Sequence, residues 1–246
     1  MKLQEHYKQE AHGTNGFFKA FEKYLAEFVY GGIDGCVTTF AVVAGSVGAG
    51  LDSAIILILG FANLLADGFA MSVGAYLSTK SDKDNYNKHK QTEYWEIEHM
   101  PDAEKEEIKE IYRAKGFKDK LLEEIVGVIT SDKKVWVNDM MREELGMMEI
   151  DKSPLWIGGI TYLSFLSIGL IPLLIYVIDY THPLEQNLFF IASVLTAMGF
   201  IIIGWLKTYV NQTSVLKGVL ETLLLGGIAA FVAYFVGDWL EHLLSR

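Results

Sequence analysis

Glu93 and Glu96 stand three residues apart, and Glu104 and Glu107 repeat that spacing beyond Met100-Pro101-Asp102. Met140, Met141 and Glu144 then fall within about one helical turn of each other. Residues three apart share a helix face, so each glutamate pair turns two carboxylates to one side. Carboxylate oxygens suit hard ions such as Mn²⁺ and Fe²⁺, and a thioether biases a site toward softer ones. Antiparallel helices that carry such pairs can converge on divalent cations, as in carboxylate-bridged bundles. Each motif also has a plainer use, since Glu is common on solvated helix faces and Met fills cores. Glu96 and His99 form an E-x-x-H unit, which di-iron bundles use twice. No second copy occurs in the chain, which argues against an oxidase site and leaves His99 a structural or peripheral residue.

A second set of acids lies where acids are costly. The fifty residues from Phe28 to Leu77 hold no Lys, Arg or His, but they hold Asp34, Asp52 and Asp67. An aspartate at the centre of a membrane helix costs roughly 2.5–3.5 kcal/mol on insertion scales. Such residues persist chiefly where a cation, a metal ion or a proton has to meet them. Glu27 and Asp34 are seven apart, hence on one face, with Asp34 about 10 Å further along the helix. Asn63, Asp67 and Met71 are spaced i, i+4, i+8 and form one polar stripe. If that helix returns toward the side it came from, Met71 reaches a depth comparable with Asp34. Asp52 falls at the turn between them. The alternative for Asp34 and Asp67 is an inert, protonated pair of interhelical hydrogen-bonding groups, and for Met71 simple packing.

These residues must be positioned by membrane helices. A hydrocarbon core of about 30 Å needs roughly 20 apolar residues per helix, and five segments qualify: about 28–50, 54–77, 154–178, 187–209 and 218–240. The expected fold is an all-α polytopic membrane protein with five transmembrane helices and a cytoplasmic helical subdomain between the second and third. Its parts are an N-terminal arm (1–27), the first two spans (28–77), a charged insertion (78–153) and the last three spans (154–246). Phe17, Phe18, Phe21, Tyr24, Leu25 and Phe28 recur at helical spacing among Lys19, Glu22 and Lys23, which predicts an interfacial amphipathic helix in the arm. The arm lacks the short apolar region and cleavage site of a signal peptide. Gly31, Gly32, Gly35, Gly68 and Gly74 permit close helix approach. Cys36 is single and cannot form an internal disulfide.

Basic residues orient the chain. Four lysines lie in the arm, fourteen Lys or Arg lie between Lys80 and Lys152, and Lys207 and Lys217 flank the next loop. The turn at Asp52 and the loop 179–186 have none. The positive-inside rule therefore places the N-terminus and the insertion in the cytoplasm and the C-terminus outside. Within the insertion, a helix is predicted from Ser78 to Glu98 and broken at Pro101. A second follows over Ala103–Lys115, capped by Asp102 and ended by Gly116, then a third over Lys118–Ile129 and a fourth over Asp132–Leu145. The net charge of −10 disfavours a nucleic-acid partner.

The strings Gly31-Gly32-Ile33-Asp34-Gly35, Asn63 through Ser78 and Trp136 through Gly146 resemble the vacuolar iron transporter family, in the same order and spacing over residues 27–240. The resemblance implies a homodimer of five-span chains, each with a cytoplasmic metal-binding domain, that exports Fe²⁺ and related divalent ions by proton antiport. It implies that Asp34 and Met71 line the membrane pathway, that Glu27 is the entrance carboxylate, and that Glu93, Glu96, Glu104, Glu107, Met140, Met141 and Glu144 are the domain's ligands. This sequence departs from plant members in having Asn63 where they carry a carboxylate and Asp67 where they carry a small residue. One turn of displacement keeps the acid on the same face, so Asp67 joins the expected pathway. No prosthetic group is expected, only Fe²⁺, Mn²⁺, Co²⁺ or Zn²⁺ as cargo, with protons, lipid and a second copy as partners. An N-terminal arm without a sorting extension points to a prokaryotic plasma membrane. The rival readings are a membrane-anchored di-iron redox protein and a divalent-cation channel.

Overall fold

The computed structural model describes residues 22–211 and 214–245. Phe17, Phe18 and Phe21 of the predicted amphipathic helix therefore lie outside the described residues. Among those described there is no strand, and five helices are long and apolar enough to cross a membrane. The chain is an all-α polytopic membrane protein. It divides into two compact units: residues up to Tyr76 together with those from Lys152 onward, and Leu77–Asp151 between them.

The membrane unit is organised around helix α1, Leu25–Gly48, which starts three residues earlier than the hydropathy pattern suggested. Half of its apolar window is buried inside the chain. Small residues explain how it can serve as the central helix. A Cβ at Gly31 would stand 2.6 Å from the carbonyl oxygen of Thr161, and one at Gly35 would run into the backbone of Phe165. The two glycines are four apart and let two backbones touch, as small-xxx-small pairs do in membranes. Further along α1, Gly48 meets the backbone at Tyr234 in the same way. Gly31→Leu or Gly35→Leu should therefore prevent α1 from docking, since no flexible side chain can yield there. The expected loss of about 1–3 kcal/mol or more would be seen as aggregation on size exclusion and a lowered melting temperature. A monodisperse Gly35→Leu protein with unchanged melting would contradict this packing.

Helix α2 runs unbroken over Ser53–His99, 47 residues or roughly 70 Å, and only its first half is apolar. The carbonyl of Asp52 accepts the Ile55 and Ile56 amides at its head, so Asp52 is a turn residue. Buried and half-buried positions Ile56, Gly60, Asn63, Leu64, Asp67, Gly68 and Met71 recur at three- and four-residue steps and mark one face. Gly68 on that face abuts the Phe165 ring, and the Ser72 hydroxyl donates to the Gly158 carbonyl at 2.8 Å.

The third span is two helices, not one. After the insertion, the chain forms α6 (Pro154–Gly169), a 3₁₀ turn (Ile171–Leu173) and α7 (Leu174–Thr181). Pro172 lacks an amide hydrogen and its ring crowds the preceding turn, so the α-helical ladder cannot pass through it. The last two spans are α8 (Leu188–Asn211) and α9 (Val215–Leu244), the latter longer at both ends than expected.

In the second unit, α2 ends at His99 and three helices follow: α3 (Pro101–Ala114), α4 (Asp119–Thr130) and α5 (Lys133–Glu143). Pro101, not Asp102, opens α3. Met100 is its cap residue and makes no side-chain cap bond, while Asp102 sits in the first turn, where its charge favours the helix dipole. Gly116, at φ 98°, leaves the helix in the left-handed region. Asp132 does cap α5, its Oδ1 accepting from the Lys134 and Val135 amides at 2.8 and 3.2 Å. Ile97, Ile108, Leu122, Val126, Trp136, Val137, Met140 and Met141 fill the core of this unit.

Candidate metal centres

The turn at Met100-Pro101 folds α3 back on the end of α2. Glu93 and Ile97 are one turn apart on α2, Glu104 and Ile108 one turn apart on α3, and all four are buried. The apolar members seal the core, and the same helix faces carry the two acids into it. One oxygen each from Glu93, Glu96 and Glu104 lies within 4.8 Å of the others. Two unit charges at that distance repel by roughly 3 kcal/mol at an effective dielectric of about 20. Among the described residues no basic side chain pairs with these three acids to offset it. Several of the insertion's basic side chains pair elsewhere: Lys109 with Glu123, Lys115 with Glu143, Lys133 with Glu98, and Arg142 with Asp139 and Glu143. Among the described residues no ion pair reaches Glu93, Glu96, Glu104, Glu107 or Glu144. Oε2 of Glu93 and of Glu104 are buried and make no hydrogen bond.

Burial pushes the Glu93 carboxyl up to about 7, and the charges of Glu144, Glu104, Glu96 and Glu107 add to it. Glu104 is likewise pushed up to about 7, by burial first and then by Glu107, Glu96 and Glu144. Glu144 is raised by burial and by Glu107 and Glu96. Five of the seven expected ligands thus feel one another's charge, with Glu93, Glu96 and Glu104 at the centre. Met140 and Met141 are fully buried in the apolar core. His99 stands apart, exposed and stacked on Trp95 at 4.4 Å between ring centroids, its Nδ1 2.8 Å from the Trp95 carbonyl. A buried group of acids with unpaired oxygens and no basic partner among the described residues is a candidate cation site.

In the membrane unit, Asp34 on α1 and Asp67 on α2 are both half-buried, and each is followed by a glycine, Gly35 and Gly68, that abuts the same residue, Phe165. The geometry therefore brings Asp67, the departure from the plant pattern, within charge reach of Asp34. Met71 is one turn further along α2, half-buried against the apolar cluster around Phe165 and Leu64. Asn63 Nδ2 is buried and makes no hydrogen bond. Glu27, in the first turn of α1, is paired with Lys152 at 2.6 Å. That partner was missed in the sequence, where Lys152 stood only as the last of the insertion's fourteen basic residues. It groups instead with the membrane unit, as does Ser153, whose amide donates to the Tyr24 hydroxyl at 3.2 Å.

Five spans, a pair of intramembrane aspartates and a helical insertion with a buried acidic centre define a polytopic membrane protein with candidate cation sites. The chain belongs to the VIT family, whose pattern matches residues 25–238. It is 38% identical over 226 residues to a vacuolar iron transporter of Toxoplasma gondii, covering 89% of this chain and 74% of that one. It is 31% identical over 227 residues to vacuolar iron transporter 1 of Eucalyptus grandis, with 92% and 88% covered. For vacuolar iron transporter 1 of Arabidopsis thaliana the figures are 29% over 232 residues, with 94% and 91% covered. These relatives are transporters by name, not enzymes.

Proposed function

We propose that this chain is a proton-coupled transporter that moves Fe²⁺, with Mn²⁺, Co²⁺ and Zn²⁺ as competitors, out of the cytosol. The observation that carries the reading is the Asp34–Asp67 pair, two half-buried acids from different spans within charge reach of each other in a VIT-family chain. The acidic insertion, on the cytoplasmic side, collects the ion through Glu93, Glu96, Glu104, Glu107 and Glu144, with Met140 and Met141 as softer donors. Glu27 accepts it at the membrane entrance. Asp34, Asp67 and Met71 then hold it inside the bilayer, in a pathway completed by a second copy of the chain. Protons arriving from the far side neutralise the two aspartates and release the metal, because a carboxylate in a low-dielectric site binds a proton readily once the cation has gone.

The test is transport into proteoliposomes of the purified full chain. An acidic lumen should drive Fe²⁺ or Mn²⁺ loading, and collapsing the pH gradient at fixed voltage should stop it. Flux that follows voltage and ignores the pH gradient would replace the antiporter with a channel. Oxygen consumption on adding Fe²⁺, without metal accumulation, would replace transport with redox chemistry.

A further inference from the structure

Glu27 and Lys152 are 125 residues apart in sequence and share a part-buried hydrogen bond of 2.6 Å. The pair is held from both sides. Lys152 Nζ lies 5.9 Å from the centroid of the Tyr24 ring, and the next residue, Ser153, is tied by its amide to the Tyr24 hydroxyl. Only 18% of the Glu27 side chain and 34% of the Lys152 side chain remain exposed. The pairing satisfies only half of the carboxylate. Oε2 of Glu27 is buried and has no hydrogen-bond partner. A single ammonium on one oxygen therefore neutralises Glu27 and leaves its second acceptor open.

A divalent ion can use both oxygens and brings twice the charge, but it cannot share Glu27 with an ammonium at hydrogen-bond distance. We infer that Lys152 is a tethered cation that occupies Glu27 until a divalent ion displaces it, and so selects which ions enter. This rests on Glu27 being the entrance carboxylate. The tether gives the ammonium an effective concentration in the millimolar range or above. A free monovalent ion offers Glu27 no more charge than the lysine does and lacks the tether, so it loses the competition. A transition-metal ion gains stronger coordination and wins, and the flexible four-carbon stem lets the ammonium swing away. The lysine thus raises the metal concentration needed for entry in return for excluding Na⁺ and K⁺.

The experiment compares Lys152→Met, Lys152→Arg and Glu27→Gln, singly and with Lys152→Met and Glu27→Gln combined, using Mn²⁺ uptake into proteoliposomes of the full chain. Lys152→Met keeps the apolar stem and removes the competitor, so KM for Mn²⁺ should fall by about two- to fivefold without a rise in the maximal rate. Excess Na⁺ should now inhibit uptake, as it does not in the parent chain. Lys152→Arg, which restores a tethered cation, should return KM and Na⁺ resistance toward the parent values. In the Glu27→Gln background the Lys152→Met change should have no further effect on KM. A lysine that only braces Glu27 would give the opposite, a raised KM for Lys152→Met. That result, an unchanged KM, or an equal fall in KM in the Glu27→Gln background would overturn the tethered cation. Glu27→Gln itself separates the two readings. A raised KM in that variant keeps Glu27 at the entrance whatever the lysine does, and a parent-like KM removes Glu27 from the path and the lysine's role with it.

Discussion

Asp34→Ala should reduce Fe²⁺ or Mn²⁺ uptake to the background of empty liposomes while leaving the protein folded. A divalent ion inside the bilayer has lost most of its water, and its charge must be met by fixed groups at the moment of passage. Asp34 and Asp67 are the two intramembrane acids within reach of each other. Removing one halves the countercharge at that point. Leaving a buried charge short of its partner costs about 3–5 kcal/mol. With a factor of ten for every 1.4 kcal/mol, the rate should fall by more than about a hundredfold. Folding has no matching reason to suffer. The hydrogen bond at this residue is made by its backbone carbonyl, which accepts from the Thr38 hydroxyl at 2.9 Å, and the substitution keeps that carbonyl. Removing one of two like charges also relieves repulsion. Uptake at the parent rate by a well-folded Asp34→Ala protein would take Asp34 out of the pathway. Asp67→Asn should also impair uptake, and a neutral outcome there would make the second acid a bystander.

The second large effect is a pH dependence set by Glu93 and Glu104. Both are raised in the folded protein from about 4.5 to about 7. Without metal, the folded state therefore holds more protons than the unfolded state between those values, and stability falls as pH rises through that window. Above about 7 the cluster is charged in both states and the dependence flattens. Glu98, Glu123 and Glu143 are lowered by their lysine and arginine partners, so their contributions are lost only as pH falls below about 4.5. Metal reverses the trend, since a bound cation requires the charged carboxylates. Apparent Mn²⁺ affinity should rise with pH up to about 7 and then level off.

Thermal melts of the full chain between pH 5 and 8, with chelator and with saturating Mn²⁺, check both signs at once. The Glu93→Gln/Glu104→Gln protein supplies the baseline. It should melt at higher temperature than the parent near pH 8 in chelator, lose most of the parent's pH slope, and lose Mn²⁺ stabilisation. A chelated parent whose melting temperature rises from pH 5 to 7 relative to that variant would contradict the buried acidic centre.

Much of the architecture is legible in the residue pattern because hydropathy and helix signals are local. Twenty apolar residues in a row specify a span whatever they touch, and Pro101 and Gly116 punctuate the insertion by their own backbone limits. The departures are just as local. Pro172 splits the third span, and Pro101 takes the first helical position that Asp102 was expected to cap. The carboxylates were findable too, since E-x-x-E spacing and an aspartate in an apolar run are both visible along the chain.

What the chain could not reveal in one dimension is which charges are compensated. The insertion has lysines in plenty, and only the packed helices decide that they pair with Glu98, Glu123 and Glu143 and leave Glu93, Glu96 and Glu104 unpaired. Tertiary contacts likewise put Lys152 on Glu27 across 125 residues and bring Asp67 within charge reach of Asp34. The sequence by itself determined the spans, the breaks and the candidate acids, because each depends on a residue and its near neighbours. The tertiary structure decided the electrostatics, because a charge's energy depends on what lies within a few ångströms of it and on how much water remains.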